Sequence, residues 1–159
     1  MEQVTPEAII REELERLRSG IIARSQQQGQ KASGRTYAAI QTEDVSDKGG
    51  KLVGSSYVAV LATGRRSGKV PYDFVRIIKE WAAYKGITFS DEREFDRWAN
   101  AVAWKIRREG TELWRTVGSS GGGLDVFQTP IEDCIKRISE RLAVFYTVEI
   151  SNQIQEIWQ

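Results

Sequence analysis

The chain has 159 residues, 40% of them hydrophobic and 28% charged, with 23 Lys and Arg against 22 Asp and Glu. That length and balance fit one ordinary globular domain rather than a disordered or fibrous chain. Histidine is absent and cysteine occurs once, at Cys134, which excludes Ser–His and Cys–His nucleophilic catalysis and a Cys/His zinc site.

The remaining expectations from composition follow directly. Neither catalysis nor a cofactor nor a metal is expected. No apolar run is long enough to span a bilayer. The amino-terminal "MEQVTPEAIIREELERL" is acidic and amphipathic rather than basic then apolar, so it does not resemble a secretory signal. The single cysteine fits synthesis in a reducing cytoplasm. Cations number 12 against 8 acids between residues 60 and 115, while 116–159 carries 3 against 6. The middle excess is far below the basic footprint of a dedicated nucleic-acid binder.

In chain order, the first helix starts with Thr5 as N-cap and Pro6 in its first turn. Ile10, Leu14, Leu17 and Ile21 form its apolar stripe, with Glu12, Glu13, Glu15, Arg16 and Arg18 on the other face. Arg24 to Gly34 is polar and predicts a loop that orders on assembly. Two antiparallel strands are expected at about 35–44 and 50–54, joined by a turn at Asp47–Gly50. Ser56–Leu61 fits a strand continuation or a short helix. A second helix is expected from Asp73 to Lys85 with Phe74, Ile77, Ile78 and Trp81 on one stripe and Gly86 beyond its end. A third begins with Ser90 as N-cap, carries Phe95, Trp98, Ala99, Val102 and Ile106, and stops at Gly110. "GSSGGG", Gly118 to Gly123, predicts a mobile loop.

The last helix has a capping-box start at Thr129, Pro130 and Glu132. Its stripe is Ile131, Ile135, Ile138, Leu142 and Phe145, and apolar residues continue to Trp158. At about 28 residues it would be roughly 42 Å long, more than a small domain needs. The expected fold is therefore α+β: a small antiparallel β-hairpin packed with about four α-helices, the last one long. Residues 1–128 form the core domain, and 129–159 either belong to it or extend to a neighbour. Cys134, beside the stripe, is expected to be an inert packing residue.

"TGRRSGKVP", residues 63–71, suggests a phosphate cradle, but a Walker loop needs four residues between its glycines and a hydroxyl after the lysine. Here three residues separate Gly64 from Gly68, and Val70 follows Lys69. Arg65, Arg66 and Lys69 fit instead an extended, mobile loop that adheres to acidic protein surface. With the basic side of the third helix (Lys105, Arg107, Arg108), the same loop would serve a small nucleic-acid-binding module. Asp91, Glu94 and Asp96 would be the carboxylates of an enzyme, although local ion pairs with Arg93 and Arg97 account for them more simply.

The order of these pieces carries a resemblance. Tyr57 leads into the glycine-containing basic loop and Pro71; a helix with Trp81 and Lys85–Gly86 follows; "FDRWANAVAWKIRREGT" (95–111) closes the pattern, and "ASGRTYAAI" (32–40) precedes it. Together they resemble the tail-completion, or neck, proteins of tailed bacteriophages over roughly residues 32–115. The acidic residue common before the loop glycine in that family is absent, with Ala62 and Thr63 in its place. The resemblance implies a structural virion protein: a ring-forming subunit of the head–tail connector that joins the capsid portal to the tail. It further implies a homo-oligomeric ring, adjacent connector, portal and tail proteins as partners, genomic DNA passing through the lumen without specific binding, and no membrane. Contact residues are expected at Arg65, Arg66, Lys69, Trp104, Trp114, Phe145 and Trp158, whereas Trp81 and Trp98 are expected in the core.

Overall fold

The computed structural model describes residues 4–30 and 33–158. Lys31 and Ala32, part of the expected polar loop and the start of the resembling segment, lie outside the described residues. The fold is α+β, with a two-stranded antiparallel sheet, four substantial helices and three short ones among the described residues.

Helix α1, Pro6–Gln27, is capped by Thr5, whose Oγ1 accepts the Ala8 amide at 3.2 Å. It runs almost a turn further than the polar composition after Arg24 predicts. Ser25 explains the extension: its hydroxyl is buried and bonded to Tyr37 Oη and Gln30 Oε1, both at 2.8 Å, so the polar residues have partners inside. Residues 35–38, expected to begin a strand, form instead the short helix α2, Arg35–Ala38, entered through Gly34 at φ 81°. Tyr37 needs that turn to reach Ser25.

The hairpin proper is β1, Gln41–Ser46, and β2, Gly49–Val53. Gln41 pairs with Val53 and Ser46 with Gly49, and a bulge lies between Glu43 and Ser46, where Asp44 adopts φ 51°. A Cβ at Gly50 would lie 2.6 Å from Leu14 Cδ1; the sheet approaches α1 that closely. Ile10, Leu14, Leu17 and Ile21 join Ile40, Val126 and Cys134 in one core, so the expected α1 stripe is the buried one.

The segment after the hairpin becomes helical at α3, Val60–Thr63. Helix α4, Phe74–Tyr84, ends as expected before Gly86 at φ 70°. Helix α5, Glu92–Glu109, is capped by Asp91, whose Oδ1 accepts the Glu94 amide at 2.7 Å, one residue later than the expected Ser90. Ser90 instead donates from its amide and hydroxyl to Glu94 Oε2. Ala82 and Ala99 are fully buried. A second core, Phe74, Ile78, Ala99 and Ala103, thus holds α4 against α5 separately from the first.

Helix α6, Glu112–Thr116, leads into a 3₁₀ turn at Gly118–Ser120. The front of the glycine run is therefore ordered rather than a mobile loop: Gly118 is buried, and a Cβ there would run into the Thr63 carbonyl.

Helix α7, Gln128–Ile157, spans 30 residues. Its start differs from the expected capping box. Asp125, held by Arg24 at 2.6 Å, accepts the Thr129 amide at 2.9 Å and the Thr129 hydroxyl at 2.5 Å. Thr129 therefore donates rather than caps, because an ionised carboxylate is the stronger acceptor for a helix start. These bonds from Thr129, with Arg24 beside them, hold the Asp125 carboxyl below its usual range.

The first half of α7 packs on α1, but rotated from the expected stripe. Pro130 and Cys134 are buried, whereas Ile131 and Ile135 are 41% and 60% exposed. Glu13 on α1, expected on the solvent face, is fully buried and decides the rotation: Arg137 and Arg141 of α7 both reach it at 2.7 Å. No helix among the described residues is long and apolar enough to cross a membrane.

Candidate assembly surface

The basic loop is folded against the rest of the chain at three points rather than standing off as a mobile hairpin. Gly64 ends α3 at φ 74° and ψ 177°, a conformation only glycine adopts readily. Its neighbour Arg65 makes a two-way clamp with the α5–α6 junction: the Arg65 amide donates to Thr111 Oγ1 and the Thr111 amide to the Arg65 carbonyl, both at 2.9 Å. The Gly68 amide then donates to the Arg107 carbonyl at 2.8 Å. A Cβ at Gly64 would lie 2.5 Å from the Trp114 amide nitrogen.

That anchoring separates the three cations. Arg65 turns inward, donates to the Lys69 carbonyl at 2.7 Å and places its guanidinium 5.3 Å from the Phe74 ring centre. It is a structural cation, not an exposed contact. Arg66 and Lys69 remain exposed, Lys69 beside Arg107.

The expected tryptophan contacts divide in the same way. Trp114 is half-buried and packs among Gly64, Gly110 and Gly118, so it closes the loop junction instead of offering itself to a partner. Trp104 is 57% exposed, with the Arg108 guanidinium 4.3 Å above its ring. Trp98 packs in tilted contact with Phe89 and Phe95 at centroid distances of 5.1 and 6.1 Å. Trp81, expected in the core, is exposed on α4, because the stripe that packs on α5 is centred on Phe74, Ile78 and Ala82.

Trp81 borders an apolar groove of about 570 Å³ between α3, α4, α5 and α6. Tyr57, Phe74, Ile77, Val102, Ile106 and Leu113 line it, with Arg65, Lys105, Arg115 and Glu112 at its edges. The sequence motif reading missed this groove, since its walls come from four separate segments. A second groove of about 490 Å³ lies where α1 meets α7, between Val4, Ile9, Val144, Phe145 and Val148. Phe145 is half-buried there, the Glu140, Arg141 and Glu149 side chains forming the rim.

Beyond this second groove α7 continues uncovered. Val148, Ile150 and Ile154 are 50–54% exposed, Ile157 80% and Trp158 84%. Isolated exposed apolar residues are ordinary, but a row of them on one helix marks a contact surface.

The carboxylates considered for catalysis serve locally. Asp96 and Glu92 bind Lys79, Glu94 closes the α5 cap, and Asp91 is its N-cap. Cys134 is buried, its thiol donating to the Glu13 carbonyl at 3.5 Å, and burial raises its pKa. Among the described residues no cluster of three or more His, Cys, Asp or Glu could hold a metal ion. Compared with family models, curated proteins and solved structures, the chain finds no match.

Proposed function

We propose that the protein is a ring-forming structural subunit of a tailed-phage neck or head–tail connector, made in the host cytoplasm and incorporated in the virion. One observation carries the assembly part of this reading: among the described residues, the far half of α7 leaves Ile150 and Ile154 about half exposed and Ile157 and Trp158 80% and 84% exposed. The resemblance over residues 32–115 supports the connector part. Burying such a side chain fully is worth about 1.5–3 kcal/mol. Four of them are comparable with the cost of fixing one subunit against another. A closed ring gives each subunit two such contacts, which favours closure over open chains.

Sedimentation and negative-stain microscopy of the purified protein, alone and with the portal and tail proteins of the same phage, test the reading. Closed rings, alone or on the partner, are the expected outcome. A monomer at all concentrations that binds none of those proteins ends it.

A second reading, a nucleic-acid-binding module, draws on the Gly68–Arg107 bond, which sets Lys69 beside the basic end of α5, with Arg66 exposed on the same loop. It expects a salt-sensitive shift of duplex DNA that Arg66→Ala with Lys69→Ala abolishes. No shift at low salt rejects it.

A further inference from the structure

Residues 66–72 present a cationic, aromatic edge that their own chain does not use. Tyr72 is fully exposed, and Arg66 and Lys69 are exposed on the same segment. Arg107 adjoins Lys69 and Tyr72. The backbone beneath is already set by the Gly68–Arg107 and Arg65–Thr111 bonds. A loop held in this way loses little conformational freedom when it docks.

The α1–α7 groove carries the opposite charge. On α7, Val144, Phe145 and Val148 share one face, and Glu140 and Glu149 stand about 90° to either side of it. Both glutamates line the groove. Its one cation, Arg141, is engaged by Glu12 and Glu13, and Lys136, one turn before Glu140, does not line it. Among the described residues, Arg66, Lys69, Arg107, Glu140 and Glu149 make no ion pair. An apolar floor of about 490 Å³ between two unpaired acids fits an aromatic group flanked by cations. The α4–α6 groove has no such excess: Arg115 is held by Glu109 and Arg65 lies over Phe74, which leaves Lys105 against Glu112.

We infer that loop 66–72 of one copy seats in the α1–α7 groove of the next, Tyr72 entering between Val4 and the Val144–Val148 face while Arg66 and Lys69 meet Glu140 and Glu149. Within one chain Tyr72 lies in solvent and those charges do not pair, so the two surfaces can meet only between copies. The contact is heterologous: each copy gives its loop to one neighbour and its groove to the other, which is the connectivity a ring requires. It rests on the ring reading above and names a surface other than the end of α7.

The test is sedimentation velocity of the full chain across concentration at low ionic strength, with circular dichroism as a check on folding. Tyr72→Ala is expected to weaken self-association about tenfold. Glu140→Lys with Glu149→Lys, and Arg66→Glu with Lys69→Glu, are each expected to weaken it about tenfold as well. An equimolar mixture of these two charge-reversed proteins is expected to regain wild-type association, because every groove then meets a loop of opposite sign. Self-association that the reversals leave unchanged, or that the mixture does not regain, overturns this contact and leaves the ring reading standing. A wild-type protein that stays monomeric also overturns it; if portal or tail proteins then bind through Glu140 and Glu149, the groove belongs to a different partner. Loop reversal that abolishes only duplex-DNA binding assigns the loop to nucleic acid and overturns it too. Failure to assemble even with portal and tail proteins ends both readings.

Discussion

At the scale of single residues, three glycines account for the loop that looked like a nucleotide cradle. Gly64, Gly110 and Gly118 converge on Trp114. Gly64 and Gly110 share extended backbone at positive φ, 74° and 82°, with ψ near 180°. A side chain at Gly64 meets both a backbone cost of roughly 1–3 kcal/mol and a collision with the Trp114 amide and Thr111 Oγ1. Gly64→Ala is therefore expected to lower unfolding stability by at least about 2 kcal/mol. Gly68→Ala, with φ 126° but open space where its Cβ would sit, is expected to cost the backbone part alone. Urea unfolding of the two variants checks the difference, and equal losses would contradict the junction. The sequence made the glycines conspicuous but not the reason for them. The partners of Gly64, Thr111 and Trp114, lie more than forty residues away in the chain.

At the scale of elements, the α1–α7 pair turns on Glu13. Burial by itself pushes this carboxyl up, but hydrogen bonds from Arg137 and Arg141, with Arg16 at 3.3 Å, outweigh it and bring the pKa below the ordinary 4.5. A folded-state pKa below the unfolded one contributes stability at pH values above 4.5, and that stability is lost as pH falls through the folded value. The urea midpoint is thus expected to drop on acidification below about pH 4.5, and Glu13→Gln to flatten that dependence. Removing the partners costs more than removing the acid. Arg137→Met with Arg141→Met leaves the buried carboxylate with Arg16 alone, at about 3–5 kcal/mol. Glu13→Gln frees two guanidiniums that are 37% and 35% exposed and can turn to water, so about 1–3 kcal/mol is expected. A reversed order would mean that the network does not set the packing. The signal for Glu13 was present: it falls four residues after Ile9 and four before Leu17, within the buried face. Its charge argued for the solvent side, and only the two arginines of α7 reverse that.

At the scale of the whole molecule, α1, the hairpin and the first half of α7 share one core while α4 and α5 share another, and the fastened loop 64–68 joins them. Sequence alone determined the residue inventory, and with it the exclusion of histidine-based and Cys/His zinc chemistry. It also determined the four substantial helices, the hairpin and the unusual length of α7, because periodicity, caps and turn residues act over a few neighbouring positions. Tertiary structure decided which face of α7 is buried, that Arg65 and Trp114 turn inward while Trp81 turns out, and that Tyr57, Phe74 and Leu113 bound one groove. A local pattern states which side chains can share a face. Which face meets water depends on groups brought together from distant parts of the chain, and no single window of sequence contains both sides of that contact.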